Sequence, residues 1–289
     1  MSCCWLFTGS PPPTPALTST TVSTDLTQVR LKRLPDIQLP WGWCYIQDMA
    51  VVSPDMLLVS NCSKKCVQLL DCLKGEVVSE VKLQDFPLSM CLTDRNTAAV
   101  NVAGKKIWMI AVTDKTLTKK GELTASGIIH GLTSSKNSLV VCYHCQPWLE
   151  VISMDGNVLH QFDKKGNSQH FKYPNYMCTT PDGSVFISDW ETNTIINVDA
   201  QLNLLQAFSS PLLKEPWGIT AVTEDQILVC SNRNHSILLL QPSTNTMSTL
   251  LGMDDGIEYP YCLTYCPDQK KVYVATPGTI DTMNVYQMS

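Results

Sequence analysis

The chain has 289 residues, 44% of them hydrophobic and 16% charged, with a net charge of −5, which is apolar enough for a large core and too mildly acidic to identify a partner. Only four of the 21 basic residues are arginine (Arg30, Arg33, Arg95 and Arg233), and this counts against a nucleic-acid binder because phosphate and base recognition favour the planar guanidinium fork. The start, MSCCWLFTGS, has no basic stretch and no run reaches the ~18 apolar residues of a spanning helix, so neither export nor membrane anchorage is expected and the chain is assigned to the cytoplasm.

Residues 1–26 are expected to form a disordered leader, since SPPPTPALTSTTVSTDL combines Pro with Ser and Thr and offers almost nothing to bury. The next segment, VRLKRLPDIQL from Val29 to Leu39, alternates like a strand but has no partner of its own. From Gln47 onward a unit of about 40 to 47 residues recurs: Gln47, Pro87, Gly127, Pro174, Pro216 and Pro260 fall at intervals of 40, 40, 47, 42 and 44 residues, the period of a four-stranded propeller blade. Within each unit the second strand (MLLVS, TAAVNV, SLVVC, SVFIS, QILVC, KVYVA) and the third (CVQLLD, KIWMIAV, WLEVIS, TIINVD, SILLLQ, MNVYQM) are apolar on both faces, as in a sheet covered on both sides. Outer strands such as EVVSEVKL, NVLHQF and LNLLQAF alternate with polar residues, as half-exposed strands should.

The last unit stops after three strands, so Val29–Leu39 is expected to supply its fourth by pairing with the strand near Asn284–Gln287. The resulting fold class is all-β, a six-bladed β-propeller over residues 27–289 closed by an N-terminal strand completing the last blade, which removes two open sheet edges.

Asn234-His235-Ser236-Ile237 resembles the Asn-His-x-Ile core of an NHL repeat. The stretches Pro181-Asp182-Gly183-Ser184-Val185-Phe186-Ile187-Ser188-Asp189 and Ser53-Pro54-Asp55-Met56-Leu57-Leu58-Val59-Ser60-Asn61 are similar to the same family's strand-turn-strand text. The layout resembles the divergent NHL-like propellers at the C-terminal end of tripartite-motif proteins, many of which are ubiquitin ligases. The resemblance implies a non-catalytic protein-interaction propeller that recruits a substrate or partner; the RING finger, B-boxes and coiled coil of such proteins are not read in this sequence. Some related propellers bind RNA, which is the alternative reading.

Asx or Ser at the turn between second and third strands can bond the backbone two residues on, so Asn61, Asp189, Ser231 and Asn232 are read first as turn formers. These turns share one face of the ring with the loops that join each outer strand to the next blade. That face collects Lys64, Lys65, Lys105, Lys106, Lys164, Lys165, Arg233 and Asn234 with Trp148, Phe171, Trp190 and Trp217, and Asp163, Asp189, Glu191, Glu215, Asp254 and Asp255 lie in the same loops. Mixed charge beside aromatics favours a protein partner. Trp148 and Trp217 can equally pack between blades.

The cysteine pairs Cys62/Cys66, Cys142/Cys145 and Cys262/Cys266 fall in different blades, whereas structural zinc needs four converging ligands. Cys91, Cys142, Cys178 and Cys230 sit in apolar runs and read as reduced core thiols. Propeller enzymes place a metal at the channel mouth, held by residues at the starts of several innermost strands; here those positions hold Asp48, Ser89, His130, Asn175, Gly218 and Tyr261, one carboxylate and one His. His130 reads as a satisfied channel residue. No catalytic site, metal, cofactor or small-molecule substrate is therefore expected. Ser188-Asp189-Trp190 also resembles the Tyr-Trp-Thr-Asp propellers of extracellular proteins, in one blade alone.

Overall fold

The computed structural model of the chain describes residues 29–40, 45–144, 146–162, 171–276 and 282–289. The expected leader, residues 1–26, lies outside them. Six antiparallel sheets are arranged as the blades of a β-propeller, and no α-helix occurs among the described residues.

The innermost strands are Ile46–Ser53, Pro87–Asp94, Ile129–Ser135, Pro174–Thr179, Pro216–Thr223 and Cys262–Cys266. Each is followed by a strand buried nearly end to end, such as Met56–Asn61, Ser138–Tyr143 and Val185–Asp189, because neighbouring blades cover both of its faces. Leu57, Leu58, Val59, Ile107, Val140, Phe186, Leu228 and Tyr286 are at most 1% exposed, and these apolar contacts between blades supply the main stabilisation of the ring. The outer strand Glu76–Lys82 alternates as expected, exposed then half-buried. Val158–Phe162 does not alternate: Val158, Leu159, His160 and Gln161 are all exposed.

Ring closure follows the expectation from the sequence. Leu31–Arg33 pairs antiparallel with Thr282–Met288 (Leu31 opposite Met288, Arg33 opposite Tyr286), and Ile37–Gln38 pairs with the other end of the same strand. The Leu34 N–H still donates to the Val285 carbonyl, and the ladder breaks at Pro35–Asp36, where Pro35 has no N–H to offer. Backbone bonds between Arg30 and Ser289, in both directions, extend the seam.

Two glycines mark where blades meet most closely. A Cβ on Gly131 would lie 1.9 Å from the Asn175 carbonyl oxygen, and one on Gly218 would lie 2.6 Å from the Cys262 Cα. Gly218 is thus the wall residue that lets blades five and six approach, and its N–H donates to the Tyr261 carbonyl.

Candidate functional site

Two ends of the ring differ in construction. One, the loop face, carries the turns between second and third strands and the loops joining blades; the other, the turn face, carries the hairpins between first and second strands and between third and fourth.

On the loop face the Asx residues act as braces. Asn61 Oδ1 accepts from the Lys64 N–H, and Asn61 Nδ2 donates to Gln68 in the same blade. Asp189 Oδ1 accepts from the N–H groups of Glu191 and Thr192, while Oδ2 accepts from those of Lys172 and Tyr173. Four backbone donors saturate this carboxylate, which is 0% exposed. Asp189 therefore ties its own turn to the incoming loop and is withdrawn from the contact surface. Ser231 and Asn232 depart from the simple turn-forming role: Ser231 Oγ joins the Leu212 and Lys214 backbone, and Asn232 Nδ2 donates to the Pro260 carbonyl. Both hold neighbouring loops.

The other expected contact residues separate into two groups. Trp148, 8% exposed, stacks on Tyr143 with ring centroids 4.0 Å apart, and Phe171 is 2% exposed. Both belong to the core, because the broad apolar ring surface is worth more between blades than in water. Trp217 is half-buried against Tyr261 at 4.6 Å. Trp190 is half-buried and meets Tyr173 edge-on at 5.0 Å. Lys64, Arg233 and Asn234 are exposed. Lys65 lies with its Nζ 4.4 Å from the Phe86 ring centroid, a cation–π contact. Arg233 pairs with Glu215 at 2.8 Å, Asn234 Nδ2 donates to the Leu212 carbonyl, and Lys106 pairs with Glu122. Lys164, Lys165 and Asp163 lie outside the described residues.

A group of exposed apolar side chains on the loop face was not anticipated from the sequence. Phe86, Ile128, Leu212, Met253 and Tyr259 are 38–59% exposed and all stand in loops that join one blade to the next. On the turn face Leu73 is the counterpart, while Val78, Val158, Leu159 and Leu205 lie on outer strands. The signal available in the sequence was positional: each is an apolar residue in a loop already assigned to the loop face.

The central channel is closed at the loop face. Tyr176 reaches from blade four to Gln47 of blade one, donating to its carbonyl and receiving from its side-chain amide, which also donates to the Tyr261 hydroxyl. Tyr45 and Trp217 pack on Tyr261. Burial pushes the Tyr176 and Tyr261 phenols well up, so both remain protonated. Below this plug, Asp48 Oδ1 accepts from the Met49 N–H and Oδ2 from the Met90 N–H. Burial nevertheless raises its carboxyl to about 7, against the pull of those hydrogen bonds.

His130 meets its expectation as a satisfied channel residue only in part: it bonds the Pro174 backbone, but its Nδ1 has no hydrogen-bond partner. It stands beside His144 (5.3 Å) and Tyr173 (5.9 Å), which in turn meets Trp190. Burial, then the neighbouring His144, lowers it to about 4, so it is neutral. Among the described residues no three His, Cys, Asp or Glu side chains are placed to hold a metal ion. Nine described cysteines are all free of disulfides; Cys142, Cys178 and Cys230 are buried as expected, whereas Cys91 is half-buried in the channel wall. Cys62 and Cys66 point to different acceptors, the Pro87 carbonyl and Glu80, and Cys145 lies outside the described residues. No helix among them is long and apolar enough to cross a membrane.

No protein-family model matches the chain. It is 18% identical over 243 residues to the mouse (Mus musculus) E3 ubiquitin-protein ligase TRIM56, covering 83% of this chain and 33% of that protein, and 22% identical over 140 residues to the human (Homo sapiens) protein, covering 47% and 18%. The chain thus spans a third or less of the length of the curated relatives it matches. Among solved structures, a protein of unknown function from Bacteroides thetaiotaomicron superposes with a TM-score of 0.69 at 12% identity, over 91% of this chain and 76% of that one. The β-propeller domain of Cps50 (Swd1) from Myceliophteria thermophila gives 0.63 at 13%, over 84% and 83%. A catalytically inactive virginiamycin B lyase from Staphylococcus aureus, solved with quinupristin, gives 0.62 at 14%, over 90% and 89%. These likenesses establish the propeller fold.

Proposed function

We propose that the chain is a non-catalytic protein-interaction propeller that recruits a partner or substrate through its loop face, in the setting of a tripartite-motif ubiquitin ligase. The distant similarity to TRIM56 supports that setting. One observation carries the choice of face: among the described residues, five of the ten exposed large apolar side chains stand in the blade-joining loops there, on the same face as the half-buried Trp190, whereas the turn face has one, the highly exposed Leu73. Apolar and aromatic side chains held on a rigid frame, with charge at the margins, are what protein interfaces use as anchors. The basic residues of the same face are largely engaged locally, Arg233 by Glu215, Lys106 by Glu122 and Lys65 by Phe86. This weighs against the RNA alternative, which needs free cations.

The test is a crosslinked pulldown with separate protein and RNA readouts, repeated with Trp190→Ala and with Lys64, Lys65 and Arg233 changed to Glu. A protein complex anchored at Trp190 should weaken about tenfold or more in the first variant and change little with salt. Capture of RNA whose affinity falls steeply between low and moderate salt, lost in the charge-reversed variant and kept in Trp190→Ala, would overturn the reading.

A further inference from the structure

The plug of Tyr176, Gln47 and Tyr261 turns the central channel into a blind pocket. About 680 Å³ remains beneath it, lined from Asp48 and Tyr176 at the closed end to Ser53, Pro181 and Asp268 at the turn face, where Pro181 and Asp268 are exposed. That volume is within the roughly 300–1,000 Å³ of small-molecule sites. No Lys, Arg or His lines it; Arg95 and Lys115 border the adjoining groove between blades one and two.

Three donors reach the Asp48 carboxylate, the N–H groups of Met49 and Met90 and the Ser89 hydroxyl; its two oxygens offer about four acceptor positions, so one remains for a ligand. The side chains that feel its charge are Cys91, Tyr176 and Cys262, all held neutral by burial. Asp268 makes no ion pair or side-chain hydrogen bond among the described residues. Between the two, Thr220 and Thr264 line the wall with hydroxyls that make no described hydrogen bond.

We infer that this channel is a binding site for a linear aliphatic polyamine, entering from the turn face with one terminal ammonium at Asp48 and the other near Asp268. The charge pattern selects a cation, since a carboxylate in a confined site with no protein counter-ion is relieved by one. The spacing selects a long one. From Asp48 to the rim at Ser53 is five strand positions, about 16 Å at ~3.3 Å per residue, the length of an extended tetraamine such as spermine. The wall hydroxyls would accept from the inner nitrogens. This site is separate from the loop face, and it departs from the sequence-based expectation of no small-molecule ligand.

The experiment is calorimetric titration of the full chain with spermine near pH 8 at about 150 mM salt, where attraction between exposed charges is screened beyond roughly 8 Å. The expected result is one saturable site, weakened at least ~10-fold by Asp48→Asn and about threefold by Asp268→Asn. Putrescine, too short to reach both carboxylates, should bind more weakly than spermine in the wild type, with the gap reduced in Asp268→Asn. Asp268 is exposed at the rim, so that variant reports on binding even if Asp48→Asn fails to fold. Ala221→Trp, which fills the channel, should abolish the site. Absence of saturable binding, or binding unchanged in Asp268→Asn and Ala221→Trp, overturns the inference.

Discussion

The two faces of the ring are made from the same strands yet expose opposite chemistry. The loop face offers Phe86, Ile128, Leu212, Met253 and Tyr259, with its axis stoppered by Tyr176, Gln47 and Tyr261. The turn face offers short polar hairpins, Asp182 bonding Ser184 and Asp225 bonding Ser243, around an open channel. The turn-face hairpins are spent largely on turn chemistry, their side chains bracing their own backbone, whereas the connections between blades present side chains outward for contact. A propeller can therefore change what it recognises on one face without altering its frame.

If both faces share one frame, breaking the frame removes both. Deleting residues 1–39 takes away the strand that pairs with Thr282–Met288 and should abolish cooperative melting, while deleting 1–26 should leave the melting temperature unchanged; circular dichroism on both variants decides it. Gly131→Ala presses a methyl onto the Asn175 carbonyl and should cost about 3 kcal/mol or more, measured by urea denaturation, whereas Gly121→Ala, with open space around it, should cost little.

Asp48 distinguishes the axis from either surface. Its carboxyl titrates near 7 when folded against 3.8 as the ordinary value, so the folded state holds the extra proton between them. The stability this contributes is complete below 3.8 and is lost as pH rises through 7. Relative to Asp48→Asn, the wild type should lose roughly 2–3 kcal/mol between pH 5 and 8; parallel pH dependence in the two would refute the assignment. The smallest effect is the most direct on the contrast: Leu73→Ser on the turn face should leave partner capture within about twofold of wild type, while Leu212→Ser on the loop face should weaken it several-fold.

The frame was readable from the sequence because it rests on local, repeated features. Two-sided apolar runs such as Val185–Asp189 and Gln226–Ser231 mark strands covered on both faces, and the unmatched segment at Val29–Leu39 identified the seam. The working surface was less readable. Asp189 reads as an exposed turn residue, but its carboxylate is consumed by donors from a second loop, 16 and 17 residues earlier. Trp148 reads as a surface aromatic, yet Tyr143 covers it. The channel plug joins Gln47 to residues 129 and 214 positions away, and nothing in the local text of Tyr176 or Tyr261 announces such a partner.

The seam has a mechanical meaning. Arg30 and Ser289 are bonded to each other, and the two strands run antiparallel from that point. A pull on the two ends of the folded chain would load those bonds one after another, as a zipper opens, instead of all together in shear. Tension along the polypeptide should accordingly detach Leu31–Arg33 first, then Ile37–Gln38, before any other blade is disturbed, leaving the ring notched at one place and the five remaining sheets standing.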